Sequence, residues 1–146
     1  VDAFTELSGE VDRVRLGNVM ARARMILLFD RSAKHDALVL GTSNRSEILL
    51  GYGTLHGDLA CAFNPLGDLY KTQIRALAVE LGIPQSIRSK RPSADLWQGQ
   101  SDEDELGFSY EKVDAFLSLH VDRRQRVAQL LAAGFEPEFI DRVRGL

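Results

Sequence analysis

A helical spacing of apolar residues is the clearest pattern in the first third of the chain. No glycine or proline interrupts the sequence between Asn18 and Phe29. The apolar residues that can share one helix face there are Val19, Ala23, Ile26 and Leu27. We therefore predict a helix over residues 18–29, preceded by a turn at Gly17.

A short, uniformly apolar run follows and changes the expected secondary structure. Residues 37–40 read Ala-Leu-Val-Leu and end at Gly41, a length that suits a strand buried on both faces of a parallel sheet. Asn44 and Glu47 then have capping-box spacing ahead of the apolar residues 48–50. The pattern predicts a strand, a tight turn and a helix in direct succession.

The next stretch is rich in glycine. Gly51, Gly53 and Gly57 lie within seven residues. Such spacing indicates backbone that turns sharply or approaches another group closely, so we predict a functional loop here.

A third helix is predicted after Asp68, which can act as its N-cap. Its apolar stripe has helical spacing and consists of Ile74, Leu77, Ala78 and Leu81. Gly82 and Pro84 form a stop signal at its end.

The remainder divides into a polar connection and a helical end. Residues 86–107 are polar, with the acidic run 102–105, and connections of this length are usually functional or mobile. After them, the sequence predicts a helix over 110–117 capped by Ser109 and a helix over 121–133 ended by Gly134. Pro137 is predicted to open a last helix.

This order of elements is typical of an α/β fold, specifically a doubly wound parallel sheet. The chain has 146 residues, of which 45% are hydrophobic, enough for one compact domain or part of one. One strand cannot make a sheet by itself. We therefore expect the remaining strands to lie outside this sequence.

Charge and composition exclude several partners and sites. A net charge of −3 gives no general attraction to nucleic acid or to an anionic membrane, so any anionic partner should be small and locally bound. The single cysteine, Cys61, excludes an internal disulfide, and the three histidines have no zinc-site spacing. No apolar run is long enough to span a bilayer, and a reducing cytoplasm suits the composition best.

The end of the predicted strand is the best candidate for a ligand site. Thr42 lies just beyond the carboxyl end of that strand, where doubly wound proteins bind their ligands, and Glu47 lies one turn into the next helix. A nucleotide with its metal ion suits this place. Spacing alone leaves open that these residues only cap the helix.

Ordered sequence blocks carry a resemblance to a known family. They are Gly17-Asn-Val-Met-Ala-Arg-Ala-Arg-Met25, Leu40-Gly-Thr-Ser-Asn-Arg-Ser-Glu47, Gly51-Tyr-Gly-Thr-Leu-His-Gly-Asp58, Pro65-Leu-Gly-Asp-Leu-Tyr-Lys-Thr72, Pro92-Ser-Ala-Asp-Leu96 and Gln100-Ser-Asp-Glu-Asp-Glu-Leu-Gly107. In this order they resemble the C-terminal part of the catalytic domain of NAD synthetases. Several blocks in order are far more specific than one motif.

The resemblance implies a fold and a reaction. The fold is that of the adenine-nucleotide α-hydrolases, a Rossmann-like doubly wound parallel sheet, incomplete in this chain. The reaction is ATP-dependent amidation of deamido-NAD to NAD: the carboxylate is adenylated, ammonia displaces AMP, and Mg²⁺ stabilises the leaving pyrophosphate. The implied protein is a homodimeric ligase.

Site roles follow by position from the matched blocks. Thr42, Lys71 and Ser93 would bind ATP, with Ser93 standing where the family commonly has Thr. Glu47 would bind Mg²⁺ and Arg22 would bind deamido-NAD. No side chain is assigned as a catalytic acid or base.

The chain also departs from the family pattern. Residues 1–146 contain neither the Ser-Gly-Gly-x-Asp-Ser phosphate-binding loop nor the His-Lys pair near the family's C-terminus, so we expect an incomplete domain, inactive alone. Leu55 stands where many ammonia-dependent members of the family have Lys, and Ala62 falls near a position that is often Asp, so these two deamido-NAD contacts are unassigned. The Thr-Leu-x-Gly-Asp form is closer to glutamine-dependent members. Another adenylating ligase of the same fold, or a non-catalytic fragment that binds nucleotide or dimerises, remain the alternatives.

Overall fold

The structure is a computed structural model that describes residues 2–146. Its helices are α1 (Asp2–Ser8), α2 (Arg13–His35), α3 (Arg45–Leu49), α4 (Lys71–Glu80), α5 (Gln85–Arg88), α6 (Asp102–Leu106), α7 (Tyr110–Leu117), α8 (Val127–Ala132) and α9 (Pro137–Arg144). A π-helical turn, Ser118–Asp122, continues α7. No helix within residues 2–146 is both long and apolar enough to cross a bilayer.

The first long helix, α2, extends beyond its predicted bounds at both ends. Asp12 caps it by accepting a hydrogen bond from the Arg15 backbone N–H at 2.9 Å. The predicted turn at Gly17 is wrong, because Gly17 is buried inside the helix. A Cβ at this position would lie 2.9 Å from Leu96 Cδ1, so the glycine serves close packing.

The predicted strand over residues 37–40 is reduced to one isolated parallel bridge, between Leu40 and Phe63. Backbone hydrogen bonds from Ala62 N to Val39 O at 2.9 Å and from Gly41 N to Phe63 O at 2.7 Å hold it. Val39 is buried, whereas Leu38 and Leu40 are 78% and 60% exposed. The described residues therefore contain neither a strand that is buried on both faces nor a parallel sheet.

The hydrophobic core is built mainly from the last forty residues. Phe116 packs edge-on against Phe135 and Phe139, each with ring centroids 5.5 Å apart. Leu50 and Tyr70 join this cluster from the middle of the chain. The core therefore anchors the ends of α3 and α4, which lie next to the candidate site.

The capping predictions have mixed outcomes. Ser109 caps α7 as predicted, by accepting from the Lys112 N–H. Asp68 does not cap α4: the helix begins at Lys71 after Tyr70, whose N–H donates to the Gln73 side chain, while Asp68 pairs with Arg45.

The predicted helix over 121–133 is also wrong as one element. The chain leaves the π-helical turn after Asp122 and starts α8 only at Val127. Asp122 is held by Arg45 and Tyr70, and Arg124 adopts a positive φ of 52°, which a helix cannot contain. The stop at Gly134 and the start of α9 at Pro137 are confirmed.

Candidate functional site

The capping box of α3 sets the orientation of Glu47. The Asn44 side chain accepts from the Glu47 N–H at 3.0 Å, and Glu47 Oε2 accepts from the Asn44 N–H at 3.0 Å. This confirms the spacing seen in the sequence. One carboxylate oxygen is thereby used by the helix end, and the other, Oε1, is left for a different partner.

That partner is Lys71, the first residue of α4. Its Nζ donates to Glu47 Oε1 at 2.9 Å and lies 5.1 Å from the centre of the Tyr110 ring. The Lys71 and Glu47 side chains are only 22% and 15% exposed. The pair is therefore a partly desolvated cation and anion that stabilise each other's charge.

Both charged groups line a cavity of about 640 Å³. One wall is the face of α2 that carries Asn18, Ala21, Arg24, Met25 and Leu28. Further lining residues belong to the segment 40–43, the glycine-rich loop and the segment around Trp97. Apolar walls with a few converging polar groups are typical of a small-molecule site of this size.

The structure brings together four of the five residues predicted from the sequence. Thr42, Glu47, Lys71 and Ser93 all line this cavity. Arg22 is not among the lining residues, and its Nε donates to the Leu55 carbonyl at 3.2 Å. Arg22 is thus an exposed residue that contacts the glycine-rich loop at Leu55 and does not line the cavity.

The glycine-rich loop is folded tightly against α2. Thr54 Oγ1 donates to the Asn18 side chain at 2.7 Å, and the Thr54 N–H donates to Asp58 at 2.9 Å. A Cβ at Gly57 would lie 3.0 Å from the Ala21 Cβ and still closer to Thr54. The glycine at position 57 is therefore required by close approach, as the sequence suggested for this loop.

A tyrosine and carboxylate cluster in the cavity wall could not be recognised in the sequence. The Tyr52 hydroxyl donates to Glu105 at 2.6 Å and lies 3.2 Å from Asp102, and the Tyr110 hydroxyl donates to Asp102 at 3.1 Å. Residues 52 and 102 are 50 positions apart, and a run of acidic residues ordinarily means a solvated loop. No local pattern could connect them.

Burial controls the protonation of this cluster. Burial raises the pKa of the Asp102 carboxyl, against the opposing effects of the Lys71 charge and of the two tyrosine hydroxyls. Burial is also the first cause that raises the pKa of the Tyr52 and Tyr110 hydroxyls. The tyrosines are therefore protonated donors at neutral pH.

The donor set limits how a magnesium ion would be held. In the described part of the chain, no group of three or more histidine, cysteine or acidic side chains is placed to hold a metal ion. Magnesium, however, is usually bound by one or two carboxylates, with phosphate oxygens and water as its other ligands. Glu47 fits the role of one such carboxylate in the cavity.

The comparisons with known proteins decide the family. The family model described as NAD synthase matches residues 1–146, the whole of the sequence. The chain belongs to the NAD synthase family.

Curated relatives agree with this family assignment. The chain is 58% identical over 144 residues to an NH(3)-dependent NAD(+) synthetase of Chlorobium phaeobacteroides, covering 99% of the chain and 52% of that protein. It is 55% identical over 141 residues to the Wolinella succinogenes protein of the same description, covering 97% of the chain and 55% of the relative. The chain thus spans about half the length of the curated relatives it matches.

Solved structures extend the comparison to the fold. The NMN synthetase of Francisella tularensis matches 97% of the chain and 55% of its own length, with a TM-score of 0.81 and 36% identity. An NH3-dependent NAD synthetase of Campylobacter jejuni matches 99% of the chain and 54% of its own, with a TM-score of 0.72 and 39% identity. The helices of this NAD synthase chain are therefore arranged as in that fold family.

Proposed function

We propose that the protein carrying this chain makes NAD, by ATP-dependent amidation of deamido-NAD. The deamido-NAD carboxylate is adenylated, ammonia attacks the adenylate, and AMP and pyrophosphate are released. The observation that supports this most strongly is the Glu47–Lys71 pair facing the cavity of an NAD synthase chain. Such chemistry needs oriented phosphates and charge stabilisation more than protein acids or bases.

The four cavity residues have complementary roles in this proposal. Lys71 binds ATP phosphates through its ammonium group, and Thr42 and Ser93 hydrogen-bond to ATP. Glu47 is a ligand of Mg²⁺, which supplies charge neutralisation on the triphosphate when it is bound. When the nucleotide binds, two separate charge pairs replace the Glu47–Lys71 ion pair. Glu47 then pairs with Mg²⁺, and Lys71 pairs with the phosphates.

Arg22 is proposed to bind deamido-NAD outside the cavity. Its guanidinium is exposed and held in place by a single hydrogen bond to the Leu55 carbonyl. The remaining donors of the guanidinium can therefore pair with an anionic group of the dinucleotide. We further propose a homodimer in the cytoplasm, with ammonia taken up free or supplied from glutamine.

A second candidate substrate is favoured by one observation. The Francisella tularensis relative, with a TM-score of 0.81, is described as an NMN synthetase. The mononucleotide counterpart of deamido-NAD carries the same nicotinate carboxylate, so the same adenylation applies. The 58% identity to an NAD(+) synthetase favours the dinucleotide as the substrate.

The decisive experiment combines mass and activity for the protein expressed from its complete open reading frame. Intact mass is measured first, and then amide formation with Mg-ATP and ammonium on deamido-NAD and on deamido-NMN. A mass above 16.2 kDa with NAD and AMP formed supports the proposal. Faster turnover of deamido-NMN than of deamido-NAD would mean that the mononucleotide is the substrate. No amide with either substrate contradicts it and favours another ligase or a non-catalytic nucleotide-binding protein.

A Glu47→Gln variant tests the proposed magnesium role. The glutamine oxygen can still accept from the Asn44 N–H, so the helix cap is retained while the anionic metal ligand is lost. We expect the Mg²⁺ concentration for half-maximal rate to rise about tenfold or more. The matched control is Glu111→Gln, whose carboxylate pairs with Arg75 and does not line the cavity. An unchanged Mg²⁺ dependence in Glu47→Gln would remove Glu47 from the site.

A further inference from the structure

Three helices meet at the carboxylate of Asp114, in the middle of α7. The Ser46 hydroxyl, in α3, donates to Asp114 Oδ1 at 2.5 Å. The Thr72 N–H, in the first turn of α4, donates to Asp114 Oδ2 at 2.8 Å. The Lys71 N–H donates to Ser46 Oγ at 2.9 Å. One side chain of α7 therefore joins the beginnings of α3 and α4.

The beginning of α4 depends on this carboxylate. The first N–H groups of a helix have no acceptor within the helix and require one from elsewhere. Here the Lys71 N–H is satisfied through Ser46, and the Thr72 N–H directly by Asp114. The first turn of α4 contains no acidic residue, so Asp114 also supplies negative charge at its N-terminal end.

Burial makes these contacts rigid. Ser46 is fully buried and Asp114 is 4% exposed. Water cannot replace a lost partner at such a place, and a buried carboxylate without its donors is strongly destabilising. The separation of α3 and α4 at this point is therefore controlled by the hydrogen bonds of Asp114.

The two residues that donate to Asp114, Ser46 and Thr72, adjoin the charged pair of the cavity in the sequence. Ser46 directly precedes Glu47 in α3, and Lys71 is itself the residue whose N–H is bound by Ser46. We propose that Asp114 is a positioning residue for this site: it holds Glu47 and Lys71 at the separation needed to receive magnesium and the phosphates of ATP. It does so without touching either ligand, and this inference rests on the proposed function above.

The test is an Asp114→Asn variant of the complete protein. Asparagine has nearly the same shape but replaces one carboxylate oxygen by an NH2 donor, so it cannot accept at both of the positions where Ser46 and Thr72 donate to Asp114. Misplacement of a binding group by about 1 Å can cost up to about 100-fold, so we expect KM for ATP to rise about tenfold or more. KM for deamido-NAD should stay within about twofold, because Arg22 lies outside the cavity.

A second readout does not depend on turnover. Trp97 is the only tryptophan in the sequence and lines the cavity, so its fluorescence should report ATP binding directly. A Trp97→Phe variant identifies the part of the signal that comes from this residue. The Kd for ATP with magnesium is expected to rise in Asp114→Asn by the same factor as KM.

Two further variants separate positioning from general stability. Ser46→Ala removes the connection to Lys71 but keeps the bond from Thr72 to Asp114, so it should also raise the Kd for ATP even if Asp114→Asn fails to fold. Phe139→Leu weakens the aromatic core at a residue that does not itself line the cavity. It should lower the melting temperature and leave the Kd for ATP unchanged.

The outcomes are distinguishable from failure of the proposed function. If the wild-type protein forms NAD while Asp114→Asn and Ser46→Ala keep the wild-type Kd for ATP, the positioning role is overturned. Equal changes in both KM values, or an equal change in Phe139→Leu, would mean a structural role only and would also overturn it. If the wild-type protein forms no NAD but binds ATP, the proposed function fails and the Trp97 signal still tests Asp114. A wild-type protein that neither forms NAD nor binds ATP overturns both.

Discussion

The side chain of Glu47 has two separate tasks. Its Oε2 caps the beginning of α3, and its Oε1 pairs with Lys71 in the cavity. The sequence left open whether residues 42–47 only cap a helix or form a ligand site. The structure has the cap and the cavity-facing group in the same residue, so the first use does not exclude the second.

Asp102 leads to a prediction about pH at the scale of single residues. Burial raises the pKa of its carboxyl above the ordinary value of 3.8, so the native protein binds this proton more tightly than the unfolded chain does. The contribution of Asp102 to the free energy of unfolding is therefore greatest below pH 3.8 and falls as pH rises through the folded-state pKa. An Asp102→Asn variant has no carboxyl and lacks this dependence.

Urea unfolding of the wild-type protein and of Asp102→Asn, from about pH 4 to about pH 8, measures the effect. The stability of the wild type relative to the variant should fall as pH rises and then become constant. A difference that is constant throughout, or that increases with pH, would contradict the raised pKa.

At the scale of elements, residues 39–41 pack closely against residues 61–64. This contact leaves no space for a side chain at Gly41. A Cβ there would lie 2.6 Å from Cys61 Sγ and 3.1 Å from the Asn64 Cβ. We expect Gly41→Ala to lower the free energy of unfolding by about 1–3 kcal/mol, because overfilling a packed site forces the backbone apart. Since Thr42 follows directly, ATP binding should weaken as well.

Chemical denaturation with Trp97 fluorescence can follow both effects. A Cys61→Ala background removes the sulfur atom and should recover part of the stability lost by Gly41→Ala. Wild-type stability in the single variant would mean that residues 61–64 move away at little cost. Equal losses in both backgrounds would exclude the sulfur contact as the cause.

Local chemistry explains which elements could be predicted from the sequence. The capping box at Asn44 and the cap at Ser109 involve residues three positions apart, so the pattern contains the whole interaction. The predicted cap at Asp68 is wrong because its partner, Arg45, lies 23 positions away. The break in the predicted helix over 121–133 likewise depends on Arg45 and Tyr70, which bind Asp122 from distant segments.

The same distinction holds for the site. Thr42, Glu47, Lys71 and Ser93 were recognisable because each lies in a sequence block of the family. Tyr52, Asp102 and Asp114 act through contacts between residues 42 to 68 positions apart or through buried charge. Such contacts are determined by the tertiary fold, and no spacing rule for one helix or strand contains them.

At the scale of the whole molecule, one side of the parallel bridge has no cover among the described residues. Leu38, Leu40 and Phe63 form this apolar edge patch, and they are 78%, 60% and 58% exposed. Alternation along the extended segment puts Val39 on the other side, where it is buried.

The patch predicts how the 146 residues behave when prepared by themselves. An exposed apolar patch beside an unpaired backbone edge favours association between copies of the chain. We therefore expect the chain to bind a dye that reports exposed apolar surface, and its sedimentation coefficient to rise with protein concentration. Leu38→Lys should reduce both. Leu7→Lys is the control, because Leu7 is exposed on α1 and outside the patch. If the two variants behave alike while far-UV circular dichroism stays unchanged, the patch is not the cause.

The position of the core along the chain has a consequence for synthesis on the ribosome. Leu50 and Tyr70 are buried against residues from Leu106 to Val143, and Asp114 holds the beginnings of α3 and α4 together. Glu47 and Lys71 are translated long before these supports exist. The nascent chain therefore lacks the hydrogen bonds of Asp114 until α7 has left the exit tunnel, and premature termination before α7 would release a polypeptide in which Glu47 and Lys71 are without this support.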